Sequence, residues 1–148
     1  MQSQASIAIQ TVLKGKLAFC KFLSGNDTGK TGAHQAGIYI PKPAVPIIFD
    51  VPGTKGEQLE RYVTISWHGW GNTESRFIYY GQKTRNEYRV TRFGRGFPFL
   101  KEEQTGALFV FVKMQEDEYS AFVLNAEEEI DEFLDFFWHK PHGNQCTP

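Results

Sequence analysis

Cysteine, long apolar runs and net charge are all scarce in this sequence. Of its 148 residues only Cys20 and Cys146 are cysteines, which excludes a disulfide framework and is typical of a protein kept in a reducing cytoplasm. No stretch approaches the ~18 apolar residues that a membrane-spanning helix requires, and the N-terminus lacks the pattern of a signal peptide. We therefore expect a cytoplasmic protein without a membrane partner.

The net charge of -1 hides a strongly uneven distribution of charge along the chain. Between Arg76 and Arg95 there are six basic residues and one acid, whereas the stretch from Gln115 to Asp135 holds nine acids and neither Lys nor Arg. A chain of zero net charge is not a typical nucleic-acid binder, but a separated basic region can still attract phosphates. The pattern predicts a dipolar molecule with one basic region and one acidic end.

The order of apolar and turn-forming segments predicts a single domain over residues 1–148, mainly β with helices at its ends. Aromatic residues make up 15% of the chain, which indicates a globular fold with a real core. We predict a helix over 3–14, a turn-rich loop over 24–37, a helical turn within 44–49, a terminal acidic helix with Asn125 as its N-cap, and a frayed tail over 138–148. Strands are predicted at 17–23, 37–40, 62–67, 76–80, 83–96, 107–113 and 119–124. Seven short strands with terminal helices are typical of a small β-barrel or sandwich.

The stretch from Lys83 to Gly96, KTRNEYRVTRFGRG, has the densest basic charge in the chain. If it is a strand, Arg85, Glu87 and Arg89 share one face, since alternate residues of a strand point the same way. Arg can donate two hydrogen bonds to guanine or to phosphate, and Glu can accept from cytosine N4. The same residues would equally suit a solvated edge strand whose charges discourage aggregation, and composition alone does not separate the two interpretations.

Two other motifs suggest different chemistry. The segment Ser24–Thr31, SGNDTGKT, matches a phosphate-binding P-loop except that Ser24 replaces its first glycine. A P-loop must open a helix, whereas the β-like GIYI and Pro41 follow here, so nucleotide binding is a minor alternative. His139, His142 and Cys146 lack a fourth ligand, so we expect no metal site and no cofactor in this chain.

Two stretches together resemble a known family. LSGNDTGKTGAHQAGIYIP (23–41) and RFIYYGQKTRNEYRVTRFGRG (76–96), followed by TGAL (105–108), closely resemble the N-terminal domain of the EcoRII restriction endonucleases. The terminal AEEEIDEFLDFF also resembles that family. The similarity covers about half of the chain, and Tyr88 stands where the relative carries a basic residue.

The resemblance implies a fold and a function. It implies a seven-stranded open pseudobarrel flanked by short helices, of the kind shared with plant B-three domains, in which two arms grip the major groove of double-stranded DNA. It further implies the recognition domain of a bacterial type II restriction endonuclease, bound to a short GC-rich site of the CCWGG kind. Such a domain has no catalytic activity of its own, is monomeric when isolated, and has as its partner a nuclease domain of the same polypeptide, for which alone Mg²⁺ is expected.

The resemblance also implies which residues contact DNA. The first arm (residues 24–39) leads to Tyr39, and the second arm is residues 83–89. The implied base-contacting residues are Asn26, Asp27, Thr28, His34, Gln35, Arg85, Asn86, Glu87 and Arg89. The implied phosphate-contacting or positioning residues are Lys30, Tyr39, Arg76, Lys83, Arg92 and Arg95.

Two further alternatives remain open besides the P-loop. A single-stranded nucleic acid or RNA binder would stack bases on the aromatic side chains Tyr79, Tyr80, Phe93 and Phe97. A docking or autoinhibitory module would use the basic face to hold an acidic partner or the nuclease half of its own enzyme.

Overall fold

The computed structural model of the chain describes residues 2–29 and 37–139, with the side chains of residues 138 and 139 excepted. Its helices are α1 Gln4–Lys14, α2 Gly25–Thr28, α3 Val45–Ile48 and α4 Glu127–His139, and 3₁₀ turns lie at Lys42–Ala44 and Glu102–Gln104. Its strands are β1 Leu17–Phe22, β2 Ile38–Ile40, β3 Gln58–Trp67, β4 Gly71–Tyr80, β5 Glu87–Thr91, β6 Leu108–Gln115 and β7 Glu118–Leu124. The predicted tail, apart from the end of α4, lies outside the described residues.

All seven strands form one sheet in the order β1-β6-β7-β3-β4-β5-β2. Neighbouring strands are antiparallel except β3 and β7, which run parallel. Both faces of β6 are buried, which explains why its sequence is continuously apolar rather than alternating. Phe109 and Phe111 point into one core, while Leu108, Val110 and Val112 point into a second core on the other face.

The sheet curls until its two edge strands meet the same core. Phe19 of β1 and Ile38 and Ile40 of β2 all belong to the inner core, although these strands are at opposite ends of the sheet order. The Lys21 ammonium donates a hydrogen bond to the Tyr39 carbonyl at 3.0 Å, so a side chain rather than a backbone ladder joins the two edges. The predicted seven-stranded open pseudobarrel is therefore confirmed.

Helices α1 and α4 form a second layer on the outside of β1, β6 and β7. Ala8 and Val12 of α1 and Phe133 of α4 are buried against that face. The Glu129 carboxylate accepts from the backbone N–H of Gln4 at 3.2 Å and of Ala5 at 2.9 Å, so an acid of α4 caps the start of α1. The acidic helix thus packs on strands other than those that carry the basic residues.

The strand predicted over 83–96 is correct only for Glu87–Thr91. Lys83 and Arg92 have positive φ angles of 57° and 68°, which breaks the extended backbone on both sides. Arg85 therefore lies in the turn before β5 and not on the strand. Because neither Lys nor Arg favours a positive φ, the sequence pattern did not indicate these two breaks.

The β3–β4 hairpin is longer than predicted. The first arm begins with a helical turn that was not predicted. β3 begins at residue 58 rather than 62, and β4 begins at residue 71 rather than 76, so the connecting turn is only residues 68–70. The predicted loop over 24–37 contains the helical turn α2, which a capping box between Ser24 and Asp27 stabilises. No helix in the described part of the chain is long and apolar enough to cross a membrane.

Candidate nucleic-acid interface

The outer face of β2, β5, β4 and β3 carries the polar side chains that the helices leave uncovered. Tyr88 and Val90 of β5 point into the core, so Glu87, Arg89 and Thr91 lie on the other face, where Arg89 and Thr91 are buried by their neighbours. In the register of the strands, Arg89 lies opposite Tyr39 of β2 on one side and opposite Ile78 of β4 on the other. Alternation along a strand thus determines which residues of the basic stretch can meet a ligand.

A three-residue ion-pair network lies at the centre of this face. Arg85 donates to Glu87 Oε1 from Nε at 2.9 Å and from a terminal nitrogen at 2.6 Å. Arg89 approaches Glu87 Oε2 at 3.2 Å through Nη2 and donates to it at 3.3 Å through Nε. The predicted grouping of Arg85, Glu87 and Arg89 is therefore present, although Arg85 reaches it from the turn. Two guanidinium groups share one carboxylate, which leaves the network with one excess positive charge.

Glu87 remains ionised within this network. Burial raises the pKa of its carboxyl, but the hydrogen bond from Arg85 and the positive charges of Arg89 and Arg85 outweigh burial, so the pKa lies below its usual value of 4.5. The carboxylate therefore keeps both guanidinium groups in place at neutral pH.

Aromatic rings make cation–π contacts with the basic side chains of this face. The Arg85 guanidinium carbon lies 3.7 Å from the centre of the Tyr80 ring. Tyr39, which is 39% exposed, lies within 5.9 Å of Arg89 and 5.5 Å of Lys21, measured to its ring centre. Stacking restricts the orientation of a guanidinium plane, and a restricted donor loses less entropy when it binds. The face therefore presents partly preorganised donors.

Four further basic residues of the predicted interface differ in whether an acidic side chain already pairs with their charge. Lys83, Arg92 and Arg95 are exposed, and none of them forms an ion pair within residues 2–29 and 37–139. Arg76 instead pairs with Glu60 at 3.3 Å and donates to a threonine hydroxyl at 3.1 Å, so its charge is already compensated. The three exposed cations are better placed to meet phosphate.

The root of the first arm is held by a buried carboxylate. The Asp27 side chain is 0% exposed and accepts from the backbone N–H of Ser24 at 2.9 Å and of Tyr39 at 3.0 Å. The Lys21 ammonium lies 2.7 Å from the same carboxylate. Thr28 is also buried, and its hydroxyl lies 2.6 Å from that of Thr105. In this conformation both oxygens of Asp27 are already occupied by groups of the chain itself.

Asn26 and Asn86 are the remaining predicted base contacts that the structure describes. Asn26 is exposed on α2, whereas the predicted base contacts His34 and Gln35 and the predicted phosphate contact Lys30 lie outside the described residues. Asn86 accepts from the Tyr79 hydroxyl at 2.8 Å and lines a cavity on the other side of the second arm. The Asn86 side chain therefore lies on the opposite side of the arm from the side chains of Arg85 and Glu87.

Two residues outside the predicted duplex-contacting set belong to the site. Lys21 connects the first arm to both edges of the sheet, and Tyr80 stacks under Arg85. A lone lysine within the apolar segment LAFCKFL was a usable signal for a buried ion pair. Tyr80 could only be placed once the β4–β5 register opposed it to Glu87.

The single-strand and P-loop alternatives receive little support from this geometry, and the docking alternative stays a prediction. Tyr79 and Phe97 are buried in the core and are not available to stack bases in this conformation. The helical turn α2 occupies the middle of the segment that resembles a P-loop, where a P-loop is an open cradle. Among the residues that the structure describes, no three His, Cys, Asp or Glu side chains are placed to hold a metal ion.

The chain is similar to known proteins over most of its length. The family model described as "Restriction endonuclease EcoRII, N-terminal" matches residues 12–137. A curated relative, the type II restriction enzyme EcoRII of Escherichia coli, is 36% identical over 107 residues. That similarity covers 68% of this chain but 26% of the relative, so the chain spans about a quarter of the length of EcoRII.

The fold is also similar to a solved structure. The B3 domain of the UbaLAI restriction endonuclease, a mutant crystallised with cognate DNA, superimposes with a TM-score of 0.57 over 97% of this chain and 92% of that one. The two sequences are 17% identical, so this similarity concerns the fold. It agrees with the open pseudobarrel derived above.

Proposed function

Because the chain belongs to the family of the N-terminal domain of the restriction endonuclease EcoRII, we propose that it is the sequence-specific DNA-recognition domain of a type II restriction endonuclease. The observation that carries the proposal is the Arg85–Glu87–Arg89 network of the second arm, on an outer sheet face. Arg and Glu side chains supply the donors and acceptors that distinguish a G·C pair in the major groove. We propose a short GC-rich duplex site of the CCWGG kind as the ligand.

The two arms join the sheet close to each other. The first arm enters β2 beside the Ile38–Val90 pair, and the second arm enters β5 beyond the Ile40–Tyr88 pair. The arms therefore leave opposite ends of a ladder of three residue pairs. The three pairs are separated by two steps of about 3.4 Å, so the two arms join the sheet about 7 Å apart along the strands.

We assign the roles of the second-arm residues from this geometry. Arg85 and Arg89 donate to base edges, and Glu87 orients both guanidinium groups while its unused lone pairs accept from a cytosine amino group. Lys83 contacts the phosphate backbone at this arm. Asn86 is a support of the arm, since its amide is held by Tyr79.

The residues of the first arm are likewise divided into base contacts and residues that hold the arm in place. We propose that Asn26, His34 and Gln35 contact bases, and that Asp27 and Thr28 hold the root of the arm. The proposed phosphate contacts outside the second arm are Lys30, Tyr39, Arg76, Arg92 and Arg95. Phosphate contacts fix the orientation of the protein on DNA, and base contacts select the sequence.

We further propose that this chain binds without cleaving and acts as a monomer in the bacterial cytoplasm. Cleavage then belongs to a nuclease domain of the same polypeptide, with Mg²⁺ as the cofactor of that domain. Support for this division comes from EcoRII, since the chain corresponds to about a quarter of that enzyme.

The replacement Arg85→Ala tests the proposed base contact. We expect binding of the selected duplex to weaken by about 1–3 kcal/mol, while binding of an unrelated duplex changes much less. Fluorescence anisotropy with both duplexes and a single strand of the same sequence measures this difference. Equal losses on both duplexes would remove Arg85 from base recognition, and preference for the single strand would overturn the duplex proposal.

A further inference from the structure

A segment that nothing in the sequence marks as functional supports the second arm. The backbone N–H of Gly56 donates to the Gly81 carbonyl at 2.7 Å, at the point where β4 ends and the arm begins. The Lys55 ammonium donates to the same Gly81 carbonyl at 3.0 Å and also to the carbonyl of Lys83. Residues 53–57, here called the support segment, thus bind the backbone of the turn that carries Lys83 and Arg85.

The close approach of the two segments depends on two glycines that enclose Tyr79. A Cβ atom at Gly53 would lie 2.2 Å from the Tyr79 ring, and one at Gly81 would lie 2.4 Å from that ring and 2.5 Å from the Glu57 carbonyl. The Tyr79 hydroxyl in turn donates to Asn86. The segment, the ring and the arm therefore form one packed unit, which a single added methyl group would push apart.

Lys55 donates to backbone carbonyl groups at the position where the turn has a positive φ angle. Lys83 has a φ of 57°, a left-handed backbone conformation that is strained for a residue with a side chain. A charged donor on the carbonyl of Lys83 stabilises this conformation, and a hydrogen bond to a charged group is stronger than a neutral one. The ammonium of Lys55 already contacts two carbonyl groups, so it is oriented toward the arm backbone rather than toward an external anion.

We infer that Lys55 is a positioning residue for the second arm. Its two hydrogen bonds hold the turn over residues 81–84, and that turn sets the directions of Lys83 and Arg85. The inference about DNA affinity rests on the proposed function. The inference about the conformation of the turn does not depend on it, and the two can fail separately.

The replacement Lys55→Met removes the donor and keeps the length of the side chain, and Lys14→Met on α1 is the matched control for the lost charge. We expect Lys55→Met to weaken binding of the selected duplex about threefold to tenfold, the loss typical of one or two net hydrogen bonds. Binding of an unrelated duplex and the slope of log affinity against log salt should match those of the control. Equal losses on both duplexes with a flatter salt slope would show that Lys55 is a phosphate contact and overturn the proposal.

Amide hydrogen exchange measured by NMR tests the support segment without DNA. The Arg85 N–H donates to the Gln82 carbonyl within the turn, and we expect Lys55→Met to accelerate its exchange at least several-fold, together with that of Gly56. Gly81→Ala should accelerate the same two amides by separating the segments. Unchanged exchange in both variants would overturn the positioning role, even if the domain binds DNA. Faster exchange in a domain that binds no duplex would instead retain the segment's structural role and contradict the proposed function.

Discussion

Replacing Glu87 by Gln tests the ion-pair network at the centre of the candidate interface. One carboxylate oxygen of Glu87 holds Arg85 at 2.6 Å, and the other holds Arg89 at 3.2 Å. Gln retains the shape and one acceptor oxygen, but it turns an NH₂ donor toward one of the two guanidinium groups. One charged pair is therefore lost and the other is weakened.

The expected magnitude follows from how exposed each partner is. The Arg85 side chain is 44% exposed, so its pair contributes about 0–1 kcal/mol. The Arg89 side chain is only 6% exposed, and a charged hydrogen bond in that setting contributes about 1.5–3 kcal/mol. We expect Glu87→Gln to lower the free energy of unfolding at neutral pH by about 2–3 kcal/mol.

The pH dependence gives an independent check on the same residue. Burial raises the pKa of Glu87, but Arg85 and Arg89 lower it further, so the carboxyl titrates below its usual 4.5 in the folded protein. A group whose pKa is lowered by folding contributes stability that is fully present above its unfolded pKa and is lost as the pH falls through the folded pKa. The difference between the wild type and Glu87→Gln should therefore be constant near neutrality and shrink below pH 4.5.

Urea unfolding followed by tryptophan fluorescence, to which the buried Trp67 contributes, measures both effects. Glu103→Gln is a suitable control, because Glu103 is an exposed acid that forms no ion pair among the described residues. A loss at neutral pH below about 0.5 kcal/mol, the ordinary range of surface substitutions, would refute the network as a stabilising unit. A difference in unfolding free energy between the wild type and Glu87→Gln that stays constant below pH 4.5 would also refute it.

Two further predictions concern the first arm and the phosphate contacts. Asp27→Asn should lower the free energy of unfolding by about 3 kcal/mol, because it leaves the Lys21 ammonium without its buried carboxylate; urea unfolding would show this, and a neutral effect would mean that Asp27 does not hold the arm. Arg95→Ala should weaken the selected and the unrelated duplex alike and reduce the salt slope by about one, as the loss of one phosphate contact requires. A salt titration of the binding constant measures the slope, and an unchanged slope would exclude Arg95 from the phosphate contacts.

Much of the fold could be predicted because apolar patterns reported burial directly. The segment Ala107–Lys113 is apolar at every position before its terminal lysine, and β6 is buried on both faces by the inner core and by the helix layer. The resemblance of 23–41 and 76–96 to the EcoRII family is confirmed by the family match over residues 12–137. The ends of β5 could not be predicted, because the positive φ angles of Lys83 and Arg92 arise from packing and not from residue type.

The candidate site was only partly visible in the sequence for a related reason. A motif shows which polar residues lie close together along the chain but not which of them are buried. Asp27 became a buried anchor because Lys21 of β1 and the backbone of β2 lie beside it. Lys55 gave no signal at all, since its partners are backbone carbonyl groups 26 and 28 residues away in the sequence.

Selection from a randomised duplex pool tests the central claim most directly. The chain is mixed with the pool at about 0.1 M salt, where nonspecific attraction to phosphate is reduced, and the bound DNA is sequenced. The account predicts enrichment of one short GC-rich motif of the CCWGG kind, and a loss of that enrichment with Arg85→Ala. Binding without any enriched motif, or no binding of duplex DNA, would contradict the claim that this domain recognises a DNA sequence.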